Sequence, residues 1–169
     1  MVPIVSDGPV SPTRVFNTPF EAGVRSVLVL TSAYPMELAL DQLTALDHLL
    51  VHTGDLVDGP DSLHPPEPTR ATEMLVRRAL VDSGLKLMAC KGLVQLRATS
   101  NGFRYRAGDD AGSFVDLLSS SYASDLKARA NWLFVHLVTL PTDEFEEVVA
   151  SQLERWGIYD QTYLNSVNS

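Results

Sequence analysis

The sequence predicts a mostly α-helical chain in the order helix, helix, helix, β-hairpin, then further helices. Two observations carry that reading. Three stretches with apolar residues at helical spacing precede residue 92. A Ser100-Asn101-Gly102 turn then separates two short alternating segments, and Asn-Gly is the strongest short-range hairpin signal. Helices followed by a hairpin with a basic outer face form the pattern of a winged helix-turn-helix core with a two-stranded β wing, here carrying a C-terminal helical extension.

Residues 1–17 hold three prolines and little periodicity, and they read as a tail or strap. Thr18-Pro19-Phe20-Glu21 is a helix start: a capping threonine, a proline at the first helical position and the glutamate of a capping box. The helix runs to about Tyr34 and stops before Pro35. Phe20, Val24, Val27, Leu28 and Thr31 share a face that Val29 and Leu30 widen, which predicts a central, buried helix. A second helix spans about Leu40 to Thr53, striped by Leu43, Leu46, Leu49 and Leu50, with Gly54 placed to end it. Residues 54–69 are too rich in proline and glycine for a regular element, and a long loop inside a compact domain is more often functional than most.

The third helix starts near Thr69 and is expected to turn Leu75, Ala79 and Leu80 inward, with Gly84 placed to divide it and Gly92 to end it. Leu93–Ala98 and Phe103–Ala107 read as strands. Alternation sets Phe103 and Tyr105 on one face, Arg104 and Arg106 on the other. Phe114, Leu117 and Leu118 stripe a short helix, and Tyr122, Leu126, Ala130, Leu133 and Leu137 a longer one after a serine break. Pro141-Thr142-Asp143-Glu144 opens a last helix with Phe145, Val148, Val149, Leu153 and Trp156 inward and Gly157 at its end. The organisation is a tail over 1–17, a winged-helix core over 18–108, C-terminal helices over 109–157 and a polar tail over 158–169.

The net charge of −8 argues against a general nucleic-acid coat protein. Its distribution is uneven. Residues 70–106 hold eight basic residues against Glu73 and Asp82, a balance of +6, which leaves −14 on the rest. Such asymmetry marks either an anionic-ligand surface or a segment whose charge is consumed by internal ion pairs. Cys90 is the only cysteine, the N-terminus has no signal-peptide pattern, and the longest apolar run is Val27 to Leu30. These features point to a soluble cytoplasmic protein without membrane contact.

No GxSxG, HExxH, Walker loop or GxGxxG is present, so no catalytic residue and no cofactor is expected. His48 and His52 stand four apart on one helical face, near Asp47 and Asp55, and His64 lies in the loop beyond. A zinc site needs three or four ligands; without a supporting cysteine the better reading is two packed, hydrogen-bonded histidines and no metal. Cys90 beside Lys91 reads as a small hydrophobe rather than a nucleophile. Arg77 and Arg78 sit mid-helix, where one pairs within the fold and the other meets a partner; the sequence does not say which.

Several strings carry a family resemblance: Phe16-Asn17-Thr18-Pro19-Phe20-Glu21-Ala22, Leu46-Asp47-His48-Leu49-Leu50-Val51-His52-Thr53-Gly54-Asp55, Ser62-Leu63-His64-Pro65-Pro66, Leu75-Val76-Arg77-Arg78, Lys91-Gly92-Leu93-Val94 and Tyr105-Arg106-Ala107-Gly108-Asp109. Over roughly residues 15 to 157 the chain resembles the middle component, of the second type, of bacterial three-component ABC-ATPase conflict systems, a group that includes Lamassu-type anti-phage defence. The resemblance implies a helix-turn-helix-type subunit working between an ABC- or SMC-like ATPase and an effector such as a nuclease. It brings no catalytic set. The expected function is a non-catalytic adaptor, the rival a winged-helix transcription regulator, and a small metal-dependent enzyme using His48 and His52 comes third. The expected contact residues are Arg77, Arg78, Arg97, Arg104 and Arg106 for a partner or DNA, with Leu56, Leu63 and His64 of the loop and Tyr159 and Tyr163 of the tail for protein partners.

Overall fold

The structure is a computed structural model that describes residues 18–65 and 71–155. Its elements run α1 (Pro19–Ala33), β1 (Leu38–Ala39), α2 (Leu40–Val51), a 3₁₀ turn (Thr53–Asp55), α3 (Ala71–Cys90), β2 (Val94–Thr99), β3 (Gly102–Ala107), α4 (Ala111–Leu117), α5 (Ser121–Leu133), a π turn (Phe134–Val138) and α6 (Thr142–Arg155). The chain is mostly helical with one small antiparallel sheet of order β1-β3-β2.

Local chemistry starts α1 as the sequence predicts. The Thr18 hydroxyl accepts from the Glu21 amide and the Glu21 carboxylate accepts from the Thr18 amide, each at 3.2 Å. Two orphan donors at the helix start are thereby satisfied. The helix is central: it packs on α2, α3, α4, α5 and β3. Neighbours on every side explain why the consecutive residues Val27 to Leu30 are all buried. Phe20 departs from the expected face and is half-exposed, because the first turn lies at the margin of that packing.

The third helix differs most from expectation. It is one unbroken helix of 20 residues. Its buried side carries Met74, Val81, Leu85 and Met88, while Leu75 and Ala79 are exposed and Leu80 only partly covered. The inward row runs 74, 77, 81, 85, 88, and a charged Arg77 fills its second place. A period search for apolar residues therefore locks onto the wrong face. Gly84 does not divide the helix. It lets α1 cross closely: a Cβ at Gly84 would stand 2.5 Å from the Pro19 carbonyl oxygen and 2.5 Å from the Gly23 amide nitrogen. The reciprocal Cβ at Gly23 would stand 2.9 Å from the Gly84 carbonyl oxygen.

The hairpin forms where the Asn-Gly turn predicts, with Thr99 paired to Gly102 and Gly102 at φ +103°. The sequence did not reveal β1. Two residues are too short to alternate, yet Leu38 and Ala39 pair with Tyr105 and Arg104 and extend the hairpin to three strands. The loop after α2 is stitched down by backbone groups. Leu63 and His64 amides donate to the Val51 carbonyl, and the Gly54 amide donates to the Ser62 hydroxyl. Helices α5 and α6 rest on α2, so Leu126, Leu133, Phe145 and Val149 join the same core as α1. Trp156, Gly157 and the tail lie outside the described residues.

The α1–α3 crossing makes a prediction whose sign opposes helix propensity. Alanine is about 1 kcal/mol better than glycine in a helix interior. Gly84→Ala should nevertheless destabilise the protein by about 1–3 kcal/mol, because the methyl meets backbone that must move. Urea unfolding measures it; a stabilised Gly84→Ala protein would mean that the helices are not held this close.

Candidate functional site

Asp47, on α2, is buried with almost no solvent contact. Its Oδ1 accepts from Arg25 Nε of α1 at 2.7 Å, and its Oδ2 accepts from Arg25 Nη2 at 3.2 Å and from Arg77 Nη1 of α3 at 2.6 Å. One carboxylate thus joins three helices. Burial alone would raise its pKa, but the two guanidinium charges and their hydrogen bonds outweigh burial and hold Asp47 below the usual carboxylate range. Burial likewise works against the Arg25 charge, and Asp47 more than offsets it.

His48 and His52, both buried, form a second group beside this one with the half-buried His64. The rings of His48 and His52 lie 4.4 Å apart, and His64 stands edge-on to His52 at 6.2 Å. His64 Nε2 and the Tyr122 hydroxyl of α5 are 2.8 Å apart, and their rings stack. Asp55 lies 3.6 Å from His48 Nε2. Burial first, then the Arg77 charge, pushes His52 below its ordinary pKa. Among the described residues no group of three or more His, Cys, Asp or Glu is arranged to hold a metal ion. This cluster anchors the proline-rich loop to α5 and α2, a role that only the tertiary contact between His64 and Tyr122 reveals.

The surface divides along the hairpin. Its register sets Arg97 opposite Arg104 and Arg106 opposite Gln95, so all three arginines share one face. On the other face Leu96 pairs with Tyr105 and Ala98 with Phe103. Tyr105 is buried, but Leu96 is 50 % and Phe103 56 % exposed, so the apolar face runs on past the core. The stripe Leu75, Arg78, Ala79, Asp82 and Lys86 follows one side of α3, and the charges of Asp82, Lys86 and Arg78 act on the Tyr105 hydroxyl. Leu75 and Val76 of α3 and Leu96 and Phe103 of the hairpin are all exposed apolar side chains.

The charge asymmetry seen in the sequence is largely consumed within the fold. Arg77 pairs with Asp47, Arg78 Nε with Asp41 at 3.0 Å, Lys86 with Asp82 at 2.8 Å, and Arg97 with Glu37. Arg104 and Arg106 instead meet the amide oxygens of Gln42 and Gln95. In the loop, Leu56 and Leu63 pack against the core and His64 joins Tyr122, which leaves Val57 at 89 % exposure. Tyr159 and Tyr163 lie outside the described residues.

Residues 15–158 match the family model of the ABC-three component system Middle Component 2. The chain belongs to this family. A Middle Component 2 chain is an accessory component of a multi-subunit ABC-ATPase system. Neither the curated proteins nor the solved structures contain a match. Among the described residues of this Middle Component 2 chain, no helix is long and apolar enough to cross a membrane.

The two neighbouring arginines of α3 should behave differently. Arg77→Gln leaves a buried carboxylate short of a partner and should cost about 3–5 kcal/mol, as should Asp47→Asn. Arg78 and Asp41 are both about half-exposed, so Arg78→Gln should cost less than about 0.5 kcal/mol. Equal costs at 77 and 78 would show that Asp47 does not bind α3.

Acid should act through the same carboxylate. Its folded pKa lies below the unfolded value of about 3.9. The folded state therefore binds fewer protons, and the contribution is present above that value and lost as pH falls through the folded one. Wild-type stability should drop below about pH 4, and Asp47→Asn should lack that component when urea midpoints are compared across pH.

Proposed function

We propose that this chain is a non-catalytic adaptor linking an SMC- or ABC-type ATPase to an effector subunit in a bacterial anti-phage defence complex. Its core is of the winged-helix type, and the arginine face of its hairpin reaches nucleic acid within the assembled complex. Membership in the Middle Component 2 family supports the ATPase partner. The element order α1-β1-α2-α3-β2-β3 with sheet order β1-β3-β2 supports the winged-helix reading.

The observation that carries the adaptor reading is the apolar wing face. Leu96 and Phe103 stand out from the core, and Leu75 and Val76 of α3 are exposed as well. Aromatic and aliphatic anchors of this kind suit the core of a protein interface. The rival reading, a free transcription regulator, needs the helix before the wing to offer cations to DNA. Here that helix spends Arg77, Arg78 and Lys86 on carboxylates of its own chain and offers Leu75 and Val76 to solvent. The enzyme reading would draw on His48 and His52, both buried.

Co-expression with the neighbouring ATPase and effector, followed by size-exclusion chromatography, tests the proposal. The wild-type chain should co-elute with the ATPase. A Leu96→Asp/Phe103→Asp double variant should lose co-elution by at least about tenfold in apparent affinity while keeping its thermal midpoint within a few degrees, since both side chains are already half in water. Full co-elution of a folded double variant would overturn the wing as the docking face. The isolated subunit should hydrolyse neither ATP nor DNA, and turnover lost on a single His48→Ala change would overturn the non-catalytic reading.

A further inference from the structure

The charged face of the sheet is built at a cost that folding does not explain. Arg97 lies directly across from Arg104, and Arg106 sits two places along β3, about 7 Å from Arg104. Like charges set opposite each other in an antiparallel pair are destabilising. One carboxylate answers them. Glu37, just before β1, accepts from Arg97 Nε through both oxygens at 3.0 Å, and its Oε2 also accepts from Arg97 Nη2. Arg106 Nη2 donates to Gln95 Oε1 at 2.6 Å, and Arg104 Nη1 reaches Gln42 Oε1 only at 3.4 Å. Among the described residues neither Arg104 nor Arg106 has a carboxylate as hydrogen-bond partner. Three cations and one anion leave a local charge of +2. An open depression on this face is lined by Glu37, Gln95, Leu96, Arg97 and Arg106.

We propose that this face binds the phosphate backbone of nucleic acid through Arg104 and Arg106, and that Glu37 is an internal competitor that keeps Arg97 from the phosphate. The inference rests on the nucleic-acid part of the proposed function and adds to it the contact residues and their control. The composition of the face favours nucleic acid over protein. By register it presents Gln95, Arg97, Thr99, Arg104 and Arg106, and Leu96, which belongs to the opposite face by register, borders its depression. Protein interfaces are depleted of charge at their cores, whereas nucleic-acid interfaces are polar and positive. The guanidinium fork donates to phosphate oxygens in the same two-point geometry it now offers Glu37. Removing the competitor should cost the fold little, because Arg97 remains 65 % exposed in the pair and exposed ion pairs are weak. The hydrogen bond from Arg97 and the surrounding arginine charges keep Glu37 below the usual carboxylate range, so the competitor is anionic wherever the protein works.

Fluorescence anisotropy of a labelled DNA duplex, titrated with the full chain over a range of salt, tests this. Each phosphate contact contributes about −0.9 to the slope of log K against log salt. Arg104→Gln and Arg106→Gln should each flatten the slope by about 0.9. Arg97→Gln should leave wild-type affinity and slope nearly unchanged, since Arg97 is already occupied. Glu37→Gln should bind roughly three- to tenfold tighter at low salt with a slope steeper by about 0.9, and adding Arg97→Gln should abolish that gain. A structural role for Glu37 would move the thermal midpoint and leave the slope alone. Loss of binding in the Arg104 and Arg106 variants with no gain in Glu37→Gln would overturn the competitor and spare the nucleic-acid reading. Duplex binding indifferent to all four residues would overturn this site and move the contact elsewhere. No binding by wild type or Glu37→Gln would overturn both. A poly-glutamate peptide that binds Glu37→Gln more tightly than the duplex does would make the face a protein site and overturn the proposal.

Discussion

One buried carboxylate decides how the first three helices meet. Asp47 has no water to solvate it and takes its compensation from Arg25 on one side and Arg77 on the other. Both donors must arrive at fixed places, so α1 and α3 cannot slide or rotate on α2 without stranding a charge. Apolar packing of Val27, Leu46, Leu49 and Leu85 supplies most of the driving force, but such contacts tolerate small shifts. A three-way charge link does not. The link is therefore better read as a device for register than as a source of stability, since burying ions costs nearly what their attraction returns.

The close approach of Gly23 to Gly84 works with it. Gly23 lies two residues from Arg25 on α1, and Gly84 lies two helical turns beyond Arg77 on α3. A pivot of backbone on backbone and a charge clamp nearby define both the position and the rotation of α3. That rotation turns Leu75, Val76 and Ala79 outward and brings the charges of α3 toward Tyr105 of the hairpin. The surface that α3 exposes is thus a consequence of the buried link.

The hairpin then separates two kinds of surface by the alternation of a strand. Odd and even positions of β2 and β3 face opposite ways, so a hairpin of six residues a side carries an apolar face and a guanidinium face at once. The third strand contributes beyond its length, because the chain entering β1 brings Glu37 to Arg97.

Features encoded within a few residues were legible in the sequence. The capping box at Thr18 and Glu21, the stop before Pro35, the Asn-Gly hairpin and the two-faced alternation of Phe103, Arg104, Tyr105 and Arg106 all follow from local geometry. Family membership was legible too, in strings such as Leu46 to Asp55. The inward face of α3 was not, because Arg77 occupies a core position and disguises the period. Strand β1 has two residues and no period to read. The fate of the basic segment was decided by partners far away in sequence: Asp47 is 30 residues from Arg77, and Glu37 is 60 from Arg97. Local periodicity determines which elements form, whereas which charge meets which depends on how the helices cross, and only the packed tertiary structure decides that.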